Sequence, residues 1–253
     1  MNKMAMKALA PAALTMMLMS ASASAVVLPD FKVNEASVEG AGGVITADKI
    51  NGAYTEVITF GAGTFTTEAY GDFGQFLAND GTSLVAAQLN TSYGLYTTFS
   101  ASGGFALGPL VTFSATNASF NLYIDRNQDT AKSFDGSGSV VLANTADDYL
   151  VGFATDLENG TGILVPGIGG FFDLVFTDFT LTGLGSTYFV DPNPFYLRVN
   201  VDGDFDSFSP TGTQTINGDV SAVFAAVPEP GSLALLGLGL MGMGLSLRRR
   251  KSA

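Results

Sequence analysis

Between Val26 and Val227 the apolar positions do not recur at the three-and-four spacing of a helix. They fall in short runs rich in Val, Ile, Thr, Phe and Tyr, separated by turn residues. These runs predict strands over 44–47, 54–60, 64–70, 93–100, 110–114, 118–124, 138–142, 149–154, 171–181, 195–201 and 212–225. Alternation is clearest over 195–201, where Phe195, Leu197, Val199 and Val201 fall on one side and Tyr196, Arg198 and Asn200 on the other. Asn51-Gly52, Asn79-Asp80-Gly81, Asp135-Gly136, Asn159-Gly160 and Asn217-Gly218 read as the turns between strands. The pattern predicts an all-β fold: a single antiparallel β-sandwich or jelly-roll-like domain over 26–226, with one wet face. No fixed repeat period points to a solenoid or propeller.

The two ends break the pattern. Residues 1–25 run from a basic start (Lys3, Lys7) through an apolar stretch, Ala8 to Met19, to small residues at Ala23 and Ala25. That order predicts a secretory signal peptide cut after Ala25, because small side chains fit the peptidase at the cut and about 12 apolar residues are too few to span a bilayer. At the other end, over 227–253, Pro228-Glu229-Pro230 precedes Leu233 to Leu247, an unbroken run of Leu, Ala, Gly, Met and one Ser, and then Arg248-Arg249-Arg250-Lys251. Two prolines bracketing a glutamate predict an extended hinge. Fifteen apolar residues make about 23 Å of helix, a short transmembrane segment, and the basic cluster places the tail in the cytoplasm.

Composition then removes much chemistry. The 253 residues include no Cys, His or Trp, which excludes disulfides, histidine-ligated zinc and every nucleophile system that needs an imidazole or a thiolate. Charge is segregated: 22 acidic residues face only 5 basic ones between 26 and 227. A body that acidic repels phosphate backbones, so nucleic acid is not an expected partner. Gly167-Ile168-Gly169-Gly170 lacks the Lys-Ser/Thr and the helix that a phosphate cradle needs.

The remaining candidates are carboxylates and aromatics. Asp202, Asp204 and Asp206, directly after a strand, carry the alternate spacing with which a loop converges oxygen ligands on a hard cation, and Asp125, Asn127 and Asp129 repeat it. Both triplets lack the glycine and the glutamate of an EF-hand, and both serve equally well as solvated acidic turns. No cofactor is expected, with calcium the one candidate ion. Asp147-Asp148, or Glu56 with Glu68, are the pairs from which a glycosidase would be built, but nothing in the sequence sets either across a cleft. The chain is therefore not expected to be an enzyme. Most of its 20 Phe and 8 Tyr belong in the core; Tyr93 and Tyr96 are the candidates to stack on a sugar ring.

The C-terminal hinge, glycine-rich apolar helix and arginine cluster together resemble the PEP-CTERM sorting signal of Gram-negative, exopolysaccharide-producing bacteria. The resemblance implies recognition of Pro228, Glu229, Pro230 and Arg248, Arg249, Arg250 by an exosortase. It also implies Sec export, transient anchoring in the inner membrane through 233–247, and delivery to the cell surface or extracellular matrix. Within the body, Asp48 to Glu56, Asn79-Asp80-Gly81, Tyr93-Gly94-Leu95-Tyr96 and Tyr123-Ile124-Asp125 resemble the PEP-CTERM proteins associated with flocculation. That likeness implies a surface or matrix protein that promotes flocculation or biofilm formation with exopolysaccharide. A carbohydrate-binding module with a discrete sugar site is the alternative.

Overall fold

The computed structural model describes residues 27–38 and 42–226. The signal segment with Ala23 and Ala25, and the sorting segment with Pro228, Glu229, Pro230 and Arg248 to Arg250, lie outside the described residues, as does the apolar run 233–247. The strands are β1 (Phe31–Asn34), β2 (Val44–Ala47), β3 (Lys49–Phe60), β4 (Thr64–Ala78), β5 (Ser83–Leu84), β6 (Gly94–Ala106), β7 (Val111–Asp125) and β8 (Ala131–Phe134). They continue with β9 (Val140–Ala143), β10 (Tyr149–Ala154), β11 (Leu157–Val165), β12 (Gly169–Phe176), β13 (Thr180–Leu181), β14 (Phe189–Asp191), β15 (Arg198–Asp206) and β16 (Thr213–Ala225). A 3-10 turn (Glu35–Ser37) follows β1, and a single helical turn, α1 (Gly185–Tyr188), precedes β14. Among the described residues no helix is long and apolar enough to cross a membrane.

The all-β expectation stands, but the sandwich and jelly-roll expectation is overturned. The main sheet runs β11-β12-β15-β16-β3-β4-β6-β7, and β7 pairs back onto β11, so eight antiparallel strands close into a barrel. A sandwich needs two sheets with free edges; here Val111 to Ser114 of β7 pair with Leu164 to Thr161 of β11 and remove them. The other half of β7 pairs with β10, so this one strand forks between the barrel and a short extension, β10-β13.

Closure depends on small inward residues and bulges. The wall shifts register at Asn51/Gly52, Ser102/Gly103 and Leu157/Asn159, which adds twist. At Gly218 an added Cβ would sit 1.8 Å from the Asp204 carbonyl and 2.9 Å from the Tyr54 ring. Only glycine lets β15 and the Tyr54 ring approach β16 that closely. Asn217-Gly218, Asn51-Gly52 and Asn159-Gly160 thus lie inside strands, whereas Asn79-Asp80-Gly81 makes a true turn with positive φ at all three residues.

The two barrel ends differ. One is plugged by the small sheet β14-β1-β2, where the fully buried Phe31 packs against Phe76, Phe189, Phe195 and Phe224 at centroid distances of 5.5–6.4 Å. β16 ends at this plugged end. The opposite end is formed by the loops 61–63, 107–110, 166–168 and 207–212, whose tips expose Leu107, Leu110 and Ile168.

Candidate functional site

Outward positions on β3, β4, β6 and β7 alternate with the inward apolar ones and carry Thr59, Thr66, Glu68, Ser100, Asn117 and Ser119. The β8–β9 hairpin folds back over this wall. Phe134 packs on Tyr70 at 5.0 Å, Lys132 pairs with Asp72 at 3.0 Å, and the turn residues Ser137, Gly138 and Ser139 come down beside Val57. Between hairpin tip and wall lies a groove of about 430 Å³. Its floor is hydroxyl-rich: Ser100 and Ser119 meet across β6 and β7 at 2.8 Å, and Glu68 and Asn117 add a carboxylate and an amide. On the tip, Asp135 accepts from Ser137 and Ser139, and these hydrogen bonds, the Ser137 hydroxyl foremost, hold its carboxyl below the usual carboxylate range. Each hydroxyl both donates and accepts, so the groove is chemically matched to a polyol.

The residues expected to contact sugar or metal fall elsewhere. Tyr93 and Tyr96 are buried. The Tyr93 hydroxyl donates to Glu35 at 3.0 Å and lies 2.8 Å from that of Tyr188 under the plug. Tyr96 stacks on Tyr123 at 4.9 Å, lies under the Lys132 ammonium at 4.8 Å and donates to Asp148 at 2.7 Å. Burial pushes both phenols well above their ordinary pKa. Neither ring has a face open to a sugar, which corrects the stacking expectation. Tyr96→Phe is expected to cost about 1–3 kcal/mol in urea denaturation, because it removes a hydrogen bond to a carboxylate, while leaving polysaccharide binding unchanged.

Asp202, Asp204 and Asp206 do not form a loop. They belong to β15, opposite Asp173, Phe171 and Gly169 of β12, and their side chains alternate with the inward Val201 and Phe205 on the outer wall. Burial, then the neighbouring Asp173, raises the Asp202 pKa, while Lys49 opposes the rise. The carboxylates that converge are instead Asp125, Asp147 and Asp148, with one oxygen of each within 4.8 Å of the others. Asp125 also accepts from the backbone amides of Gln128, Asp129 and Thr130, which shapes the 125–130 loop, and Asp148 accepts from Tyr96 and Thr130. These three could hold a hard cation through oxygen alone. Of the spaced triplet only Asp125 belongs to this cluster; Asn127 and Asp129 do not, and the other two carboxylates arrive from the β9–β10 loop.

Glu56 and Glu68 sit on the paired strands β3 and β4 but point to opposite sides of the wall. Glu68 faces the groove and Glu56 the barrel lumen, where Thr67 donates to its Oε1. The pair cannot flank one bond, so it is no glycosidase dyad.

Comparison with curated proteins and with solved structures finds no match. A family model for the PEP-CTERM protein-sorting motif matches residues 226–251, immediately after β16, the last strand of the wall in chain order. The motif implies a C-terminal, membrane-anchored sorting signal: the chain carries a PEP-CTERM protein-sorting motif and is an exported protein targeted to an exosortase.

Proposed function

We propose that the barrel is a non-catalytic surface or matrix protein that promotes flocculation or biofilm formation by holding exopolysaccharide along the hydroxyl-lined groove. The groove is the observation that carries the reading. It offers several neutral donor-acceptor groups and one carboxylate, Glu68, with no aromatic ring in its lining. Such a surface makes many weak, water-bridged contacts to a polymer chain. Repetition along a polymer and across many proteins turns these into stable adhesion. The sorting motif supports the location, since it marks the chain for export.

The test is deletion of the gene in its own host, complemented with the full chain, a chain lacking Pro228 to Ala253, or Ser119→Arg. The arginine fills the groove without touching the core. Settling is expected to fail in the deletion and return only with the full chain. Binding of the purified Ser119→Arg protein to the host polysaccharide is expected to fall about tenfold, a loss of roughly 1.4 kcal/mol. Wild-type settling with Ser119→Arg at normal protein levels would remove the groove from the mechanism. If a single short oligosaccharide saturates the groove, the discrete-module reading replaces the adhesive one. EDTA separates a cation-bridged contact from a direct one: unchanged settling excludes bridging.

A further inference from the structure

Inside the barrel, at the end away from the plug, is a cavity of about 60 Å³. Its walls are almost wholly apolar and built from aromatic rings. Phe99 and Phe172 stack at 5.8 Å, Phe65 meets Phe113 edge-on at 5.5 Å, and Phe205 packs on Phe208 at 5.5 Å. Glu56 is the one charged side chain in this lining, and it is 8% exposed. Behind this wall the Tyr54 ring packs on both Phe99 and Phe172 at 5.5 Å. A carboxylate whose hydrogen bond in an apolar lumen comes from a neutral hydroxyl, that of Thr67, is costly as an anion unless a counter-charge meets it.

We infer that the lumen is a binding site for a small alkylammonium ion, held between the Glu56 carboxylate and the faces of the phenylalanine rings. The chemistry is selective on two counts. The carboxylate supplies the counter-charge and accepts the ammonium protons, and ring faces attract cations more strongly when water is excluded. The volume limits the ligand to a few non-hydrogen atoms, since on the same measure one water needs about 10–15 Å³. A cation in contact would also reverse the direction in which burial drives the Glu56 carboxyl. A ligand this small binds in the millimolar range, suited to sensing an abundant amine rather than scavenging a scarce one.

The experiment titrates the exported protein, purified from its host, with carbon-13 ethylammonium, and with ethanol as the neutral counterpart. Both are followed by NMR. A ligand enclosed by phenylalanine rings shifts upfield, and a saturable upfield shift is expected for ethylammonium but not for ethanol. Glu56→Gln is expected to weaken binding at least tenfold, as is Ile216→Phe, which narrows the lumen opposite Glu56. Asp30→Asn, exposed at the plugged end, is expected to change nothing. If Ile216→Phe does not fold, Glu56→Gln stands alone, because it keeps the shape of the side chain. The inference is overturned if the shift does not saturate, if it persists in folded Glu56→Gln, or if ethanol reproduces it.

Discussion

Phe31→Ala is expected to lower the unfolding free energy by about 3–5 kcal/mol, the range for truncating a fully enclosed aromatic side chain. Phe31 is 0% exposed and meets four other phenylalanines, one each from β4, β14, the 192–197 segment and β16. It comes from a four-residue strand that is hydrogen-bonded to β2 and β14, and its ring is where the aromatic contacts between plug and barrel converge. Against the 5–15 kcal/mol typical of a whole domain the loss is large. Urea denaturation checks it through the midpoint, and the slope adds a second reading: a plug that lets go in the folded state leaves less surface to expose, and the slope falls. An unchanged midpoint would show that the barrel holds without its plug.

The second large effect is electrostatic. Burial pushes the Glu56 carboxyl up to about 7 from 4.5, although the hydrogen bond from Thr67 and the nearby Tyr54 hydroxyl pull the other way. The folded state therefore keeps a proton that the unfolded state releases. Below pH 4.5 both states are protonated and the group has no effect. From pH 4.5 to 7 the unfolded chain ionises first, and stability is lost as pH rises; above 7 the loss is complete. At 1.36 kcal/mol per unit the loss is on the order of 3 kcal/mol. Glu56→Gln is expected to remove most of this slope and to be more stable than wild type at pH 8. Asp173 and Asp202, also raised mainly by burial, leave a smaller slope of the same sign. An unaltered pH profile in Glu56→Gln would show that Glu56 is not the group responsible.

The parts of the fold legible in the sequence were those set by local alternation. Residues 44–47 and 149–154 form strands with the expected bounds, and the polar outward positions of β4, β6 and β7 follow from period two. Closure was not legible. It rests on β11, and that strand was hidden because Asn159-Gly160 has the signature of a hairpin turn while serving as a close-packed point in the wall, where a Cβ on Gly160 would come 2.6 Å from that of Ala115. Leu110 to Ser114 and Ala118 to Ile124 read as two strands because the polar 115–117 stretch interrupts the alternation of the single strand β7.

The site was less legible for the same reason. Period two gives the side of a strand but not what covers it. The β8–β9 hairpin buries the outward Tyr96 and builds the groove, whereas the plug buries Tyr93. Asp202 to Asp206 looked like a loop because Gly203 ends the apolar run, yet pairing with β12 carries the strand on to Asp206.

The strand that leads into the sorting segment has a mechanical consequence. β16 is bonded on one side to β3, from Thr213 opposite Thr59 to Ala222 opposite Ile50, and on the other to β15. A pull on residue 226 along the strand axis loads both ladders in shear, so their hydrogen bonds must fail together rather than one at a time. Force applied through the sorting segment thus enters the molecule by a strongly resisting strand, with β3 between it and the rest of the groove wall.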